Sequence, residues 1–176
     1  MSNTREKILD AAENRMRSGG YHAVSFRDLA DDLGIKSASV HYHFRQKEDL
    51  GIALVERYAD RFFAQVQMMA DSGIPKLEAF ANAYRDAYSV GKTTCLCGLL
   101  GAETRGLPHR VADAVRAFLD RNLDWLVAAV PHDMPDEARR QAAVQILASL
   151  QGGMMLAVSQ EDPWMLDAIV DGLRSE

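Results

Sequence analysis

The sequence has little of several features that mark other classes of protein. Only two cysteines occur among 176 residues, Cys95 and Cys97, and they stand too close together for an unstrained bridge. Two thiols alone do not make a zinc site, and neither a Gly-rich phosphate loop nor a cluster of metal ligands accompanies them. The sequence therefore predicts no disulfide scaffold, no metal and no cofactor, and it gives no support for an enzyme.

A secretory leader and a membrane span are also missing from the pattern. Charged residues begin at Arg5 and no apolar stretch follows them, which predicts a cytoplasmic protein. The segment Gln141–Gln160 lacks Asp, Glu, Lys and Arg and is long enough to cross a bilayer. Because polar residues recur every four positions from Gln141 to Ser149, we interpret it as a helix buried against protein rather than a membrane span.

Strand signals are nearly absent, whereas apolar residues recur at spacings of three and four throughout the chain. The pattern predicts an all-α protein of about nine helices. Asn3 and Ser25 are the expected amino-terminal caps of the first two helices, and Gly34 is expected to end the second. The other clear boundaries predict helices over about 37–44, 97–105, 136–159 and 163–174, and a long helix from 47 that ends before the break at 71–75.

Charge is distributed unevenly along the chain. Residues 1–50 hold eight basic and eight acidic side chains, so the formal net charge of −5 belongs to the rest. Within Gly34–Lys47, which we call the basic segment, Lys36, Arg45 and Lys47 are joined by two histidines and no carboxylate. A local excess of this kind can face phosphate although the whole protein is acidic.

Two predicted helices flank the turn at Gly34 in a helix-turn-helix pattern. A helix that enters a major groove needs small residues near its amino end and hydrogen-bonding groups that reach base edges or phosphates. The residues that fit are Ser37, Ala38, Ser39, Tyr42 and His43, whereas Ile35, Val40 and Phe44 form the expected buried side. A helical hairpin that never touches DNA has the same spacing, so the spacing alone leaves DNA binding open.

Five short motifs follow one another along the first part of the chain. They are TREKILDAA at 4–12, GY at 20–21, SFRDLA at 25–30, LGI at 33–35 and VHYHFRQKEDL at 40–50. Together they resemble the amino-terminal domain of TetR-family transcriptional regulators over about residues 4–58. The resemblance implies a DNA-binding head at 1–46 and a ligand-binding and dimerisation domain at 47–176. It further implies a homodimer, joined by the eighth and ninth helices, that leaves a palindromic operator when a small molecule binds.

Carried over by position, the resemblance places phosphate contacts at Ser25 and Arg27 and at Lys47, where the fourth helix begins. The expected DNA-binding residues are Ser25, Arg27, Lys36, Ser37, Ala38, Ser39, His41, Tyr42, His43 and Lys47. The family usually has Ser or Thr where Lys36 stands, so a helix cap is expected to be lost, and Tyr where His41 stands.

The fourth helix is expected to be the only covalent route between the two parts. The expected ligand-binding residues are Tyr58, Phe62, Tyr84, Tyr88, Cys95, Phe118, Trp125, Met154 and Met155, and the alternative is that each is plain core. Cys95 stands near a predicted helix start and near Lys92, an arrangement that favours thiolate and hence reaction with an electrophile or oxidant. The alternative is non-covalent effector binding with Cys95 and Cys97 both structural.

Overall fold

The structure is a computed structural model and describes residues 4–174. These residues contain nine α-helices and two 3₁₀ turns. No β-strand occurs within these residues, in agreement with the expected all-α class. The cap expected at Asn3 lies outside the described residues. The helices are α1 (Thr4–Gly19), α2 (Phe26–Leu33), α3 (Ser37–His43), α4 (Lys47–Asp71), α5 (Lys76–Ser89), α6 (Leu96–Ala102), α7 (His109–Ala129), α8 (Asp136–Ser159) and α9 (Trp164–Gly172), and the 3₁₀ turns are Tyr21–Ala23 and Thr104–Gly106.

The chain forms two compact units and passes between them three times. The first unit contains the described residues up to Tyr58 together with Leu96–Arg116, and the second contains Ala59–Cys95 and the residues from Ala117 onward. The expectation of a single covalent route through α4 is therefore wrong. The Cys95–Leu96 bond and α7 also join the units, because α6 packs against α1 in the first unit.

The first unit is built on α1, α2 and α3, which pack on one another. Its core contains the buried side chains of Ile8, Leu29, Val40, Phe44 and Leu54. It is larger than the DNA-binding domain expected at 1–46, since the first turns of α4 and the segment 96–116 pack with the head. The boundary at residue 46 stays a prediction about function.

The second unit contains the part of α4 that follows Tyr58, then α5, the part of α7 from Ala117 onward, α8 and α9. Helices α8 and α9 pack on each other and on α5. Its core includes the fully or almost fully buried Phe80, Tyr84, Phe118 and Leu150. One polar side chain, Asn122, is completely buried among them.

Within residues 4–174, α8 is the one helix long and apolar enough to cross a membrane by length and composition. A third of its most apolar window, 33%, is buried by the rest of the chain, mainly through packing with α9 and α5. Core helices of proteins that never enter a membrane have the same length and composition, so α8 by itself is weak evidence for a span.

The sixth helix is shorter than the expected 97–105. It ends at Ala102, and a separate 3₁₀ turn follows at Thr104–Gly106. The Thr104 hydroxyl donates a hydrogen bond of 2.5 Å to the Gly101 carbonyl, which offers this segment a local alternative to the helical ladder.

Candidate nucleic-acid interface

Helix α2, which precedes the turn to α3, has a cap at each end. The Ser25 hydroxyl accepts the Asp28 backbone N–H at 3.1 Å and donates to the Asp28 carboxylate at 2.6 Å. Gly34 ends α2 in the left-handed region, at φ 62°, which glycine adopts without steric cost. The Ser25 hydroxyl is thus hydrogen-bonded to Asp28 within the head. The neighbouring Arg27 is exposed.

One face of α3 packs on the head and the opposite face is bare. Val40 is completely buried, while Ser37, Ala38 and Tyr42 are exposed, Tyr42 to 86%. Lys36 occupies the N-cap position in an extended conformation and makes no side-chain cap, as its residue type predicts. The exposed face of α3 thus presents small and hydrogen-bonding side chains, with the exposed Lys36 at its start.

Both histidines of α3 lie against aromatic rings. The His41 ring meets Phe26 edge to face, with centroids 4.8 Å apart, and His43 meets Tyr42 in the same manner at 5.2 Å. His41 remains exposed and His43 half-buried, so both rings can still donate or accept hydrogen bonds. The contact with Phe26 orients His41 relative to α2.

Two of the three carboxylates of α2 pair with Arg15 of α1. Arg15 donates to both oxygens of Asp32, at 2.5 and 2.8 Å, and lies 4.0 Å from Asp28. The hydrogen bond from Arg15 lowers the pKa of Asp32. The first unit therefore pairs acidic groups of α2 with α1, while the basic segment carries no carboxylate of its own.

Lys47, expected at a phosphate, lies over an aromatic ring that sequence reasoning did not single out. Its ammonium is 4.5 Å from the centroid of the Tyr21 ring, and burial lowers the pKa of Lys47. Burial, and to a lesser extent the charge of Glu48, raises the pKa of Tyr21. Tyr21 belongs to the GY motif at 20–21, but that motif did not predict its contact with Lys47.

In the second unit, three of the residues expected to bind a ligand share one aromatic core. The Phe62 ring lies 5.3 Å from Tyr84 and 5.8 Å from Phe118, and Tyr88 is also buried. A polar chain runs through this core: Gln151 donates to the Tyr84 hydroxyl at 3.0 Å, and that hydroxyl donates to Asn122 at 3.3 Å. Met154 is buried as well.

The other expected ligand residues are placed differently. Met155 is 56% exposed, because it follows the buried Met154 and so points about 100° further around α8. Trp125 is half-buried and its indole N–H is 3.4 Å from the Lys76 carbonyl. Tyr58 is buried and belongs to the first unit. Cys95 is 2% exposed, in the second unit.

Known proteins share both the head and the complete fold. Residues 8–54 match the family described as bacterial regulatory proteins of the tetR family. A solved TetR transcriptional regulator from Legionella pneumophila is 29% identical, with 99% of this chain and 97% of that chain covered at a TM-score of 0.90. Residues 8–54 thus form a TetR-family amino-terminal domain.

Two further relatives show how far the likeness extends. A solved transcriptional regulator from Agrobacterium tumefaciens is 27% identical over 97% of this chain and 96% of that chain, with a TM-score of 0.86. The HTH-type transcriptional repressor KstR2 of Mycolicibacterium smegmatis is 28% identical over 111 residues. That match covers 63% of this chain and 46% of KstR2, so it spans less than half of the repressor. TetR-family members are transcription factors rather than enzymes, which agrees with the expectation for this chain.

Proposed function

We propose that this chain regulates transcription by inserting α3 into the major groove of duplex DNA. The observation that carries the proposal is the two-sided character of α3, with Val40 completely buried and Tyr42 86% exposed. A major groove about 12 Å wide admits a helix about 10–12 Å in diameter. An outward face of small and hydrogen-bonding residues suits that close approach.

Phosphate and base contacts have separate sources in this proposal. Arg27, Lys36 and Lys47 supply positive charge to the backbone on either side of α3. Ser25 contacts a phosphate in this proposal by turning its hydroxyl proton from the Asp28 carboxylate to the DNA. The residues proposed to reach base edges are Ser37, Ala38, Ser39, His41, Tyr42 and His43. No arginine lies on this helix, and serine and histidine pair with more than one base edge, so the sequence does not predict the operator.

Selection of bound fragments from random duplex DNA tests the proposal. We expect a palindromic site, and we expect its affinity to fall steeply with salt, because bound lysines and arginines release counterions from the phosphates. Tyr42→Ala should weaken binding, whereas Val90→Ala, at another exposed position outside the head, should not. Absence of retention on any duplex at low salt would refute DNA binding.

A homodimer through α8 and α9 accounts for an apolar surface on the second unit. Val144, Met155, Leu156 and Trp164 are exposed there, and a groove of about 510 Å³ lies between the two helices. A surface of this kind becomes stable when a second copy covers it. The groove is lined by Ser149, Gly152, Gly153, Leu156, Ala168, Ile169, Gly172 and Leu173.

Sedimentation analysis tests the dimer. Ser149→Glu places a charge in the groove and should give monomers that bind a half-site poorly, because burying an unpaired carboxylate is costly. Ser72→Glu, in the exposed turn after α4, is the matched control and should remain dimeric. An unchanged sedimentation coefficient for Ser149→Glu would exclude this interface.

In this proposal the protein represses transcription. A small molecule that binds non-covalently in the second unit relieves the repression. The name of KstR2 as a repressor supports the first point. The aromatic core around Phe62, Tyr84 and Phe118 supplies the apolar surroundings that small-molecule sites use. Since regulation of this kind takes place at the DNA, we assign the protein to the cytoplasm.

Burial of both thiols favours a structural role for them. Cys95 is 2% exposed and Cys97 is completely buried, whereas reactive cysteines are partly exposed. Release of selected DNA by a quinone should therefore be absent, or unchanged in Cys95→Ser. If a quinone releases the wild type and Cys95→Ser abolishes that release while Cys97→Ser does not, covalent sensing at Cys95 replaces non-covalent binding in the proposal.

A further inference from the structure

Two hydrogen bonds join the 3₁₀ turn after α1 to the turn between α6 and α7. The Tyr21 backbone N–H donates to the Glu103 carboxylate at 3.0 Å, and His22 Nε2 lies 3.2 Å from the Gly106 carbonyl oxygen. A carbonyl oxygen only accepts, so His22 donates through Nε2–H. The partners are more than 80 residues apart in sequence and belong to the same compact unit.

The approach of Glu103 to this turn depends on a glycine. Gly20 is buried and has φ 77° and ψ −177°, a conformation that is essentially restricted to glycine. A Cβ atom at this position would overlap Glu103 Oε1. The chain at Gly20 therefore leaves the space in which the carboxylate reaches the Tyr21 N–H.

The backbone of Tyr21 contacts Glu103, and its ring packs against the start of α4. The ring is 4% exposed and the Lys47 ammonium lies 4.5 Å from its centroid. One turn further along α4, a Cβ on Gly51 would be 3.0 Å from the Tyr21 ring and 3.2 Å from Val111 of α7. The first two turns of α4 are thus packed closely against Tyr21, whose backbone Glu103 holds.

We propose that Glu103 is a positioning residue for DNA binding, because it fixes Tyr21 and so sets the place of the Lys47 ammonium. The inference rests on the proposed function, in which Lys47 contacts a phosphate. The segment that contains Glu103, Leu96–Arg116, is joined at both ends to the chain of the second unit. A displacement of this segment would be transmitted to the Lys47 ammonium through the hydrogen bonds to Tyr21 and His22 and through the Tyr21 ring. Glu103 itself makes no contact with DNA in this proposal.

Three variants test the relay on the full chain with a fixed duplex recovered by selection. Glu103→Ala removes the acceptor, and Glu103→Gln removes the same charge but keeps an oxygen that accepts the Tyr21 N–H. Lys47→Met removes the ammonium and keeps the length of the side chain. The pair at Glu103 is internally matched, since both changes alter the long-range field of the protein equally.

We expect Glu103→Ala to bind the duplex about tenfold more weakly than Glu103→Gln, because only the second variant keeps an acceptor for the Tyr21 N–H. The slope of log affinity against log salt should fall by about 0.9 for each phosphate that the protein no longer neutralises, and it should fall equally in Glu103→Ala and Lys47→Met. The double variant Glu103→Ala/Lys47→Met should bind no more weakly than Lys47→Met. Additive effects, an unchanged salt slope, or equal binding by the two Glu103 variants would overturn the proposal.

A second readout does not require DNA. Lysines methylated with ¹³C give one NMR signal each, and the Tyr21 ring current should displace the Lys47 signal from its unshielded position. Glu103→Ala should abolish that displacement and Glu103→Gln should retain it. If the wild type binds no duplex while the NMR shifts behave as expected, the proposed function is wrong and the relay is only structural. If the Lys47 signal is unchanged in Glu103→Ala, the relay itself is wrong.

Discussion

The guanidinium of Arg57 on α4 lies 3.1 Å from the carboxylate of Glu13 on α1, and the two side chains are only 15% and 11% exposed. Arg57 also donates to Glu6 at 3.1 Å and to Asp10 at 2.8 Å, on successive turns of α1. A single side chain thus joins three turns of α1 to the part of α4 that adjoins the second unit.

Arg57→Met should lower the free energy of unfolding by about 2 kcal/mol, because the shielded Glu13 carboxylate loses the guanidinium that lies 3.1 Å from it. Urea unfolding followed by circular dichroism measures the decrease. Arg15→Met is the matched control, since Arg15 pairs with Asp32 at the surface, where ion pairs contribute little. Equal decreases in the two variants would contradict a special role for Arg57.

Helix boundaries follow from local chemistry and could be predicted closely. Ser25 and Gly34 cap α2 as expected, the expected range 136–159 matches α8 at both ends, and α4 begins at the expected Lys47. Caps, glycines and prolines act on residues three or four positions away, so a sequence displays them directly. The same local signals show the exposed face of α3.

Contacts between distant parts of the chain could not be predicted in this way. The Tyr21 N–H meets Glu103 across 82 residues, and helical periodicity carries no information about such a pair. The place of 96–116 in the first unit could not be predicted for the same reason. Met155 is expected in the ligand site beside Met154 but is exposed, because consecutive residues of a helix point in different directions.

Asn122 shows both sides of this limit. It stands four residues after Phe118 in α7, the spacing of one helical turn. The structure adds its partners: it donates to the Phe118 carbonyl at 2.5 Å and accepts from the Tyr84 hydroxyl. Asn122→Ala should lower the free energy of unfolding by about 2 kcal/mol, because the completely buried site loses hydrogen bonds that water cannot replace. Chemical denaturation measures this, with the exposed Asn14→Ala as control; a decrease no larger than that of the control would contradict it.

The stability of the second unit should depend on pH through Asp171. A hydrogen bond from Arg85, at 2.6 Å, lowers the pKa of Asp171 below its ordinary value of 3.8. A lowered pKa in the folded state means that the carboxylate stabilises the fold above the ordinary pKa and ceases to do so as pH falls through the folded value. The difference in Tm between wild type and Asp171→Asn should therefore be largest near neutral pH and should become small in acid.

Thermal unfolding between pH 7 and pH 3 checks this dependence. In an Arg85→Met background, Asp171→Asn should have little effect at any pH, because the principal hydrogen-bond donor is gone. A difference in Tm that widens in acid would have the wrong sign and would contradict the role of Arg85.

Gly20 and Gly34 form a matched pair of glycines at positive φ, 77° and 62°. Nothing lies within 4 Å of a Cβ placed on Gly34, whereas a Cβ on Gly20 would overlap the Glu103 carboxylate. Gly34→Ala should therefore cost only backbone strain, about 1 kcal/mol. Gly20→Ala should cost more, because it adds a displacement of Glu103 to its own backbone strain.

The two glycine variants, each combined with Glu103→Ala, separate displacement from strain. Removal of the carboxylate should restore part of the stability that Gly20→Ala loses, because the clash disappears and only backbone strain remains. The same removal should be additive with Gly34→Ala, whose Cβ has no contact with Glu103. The measurement is the coupling free energy from urea unfolding of the single and double variants. A coupling of zero at Gly20 would mean that Glu103 does not occupy the space beside this glycine, and the hydrogen bond to Tyr21 would lose its support.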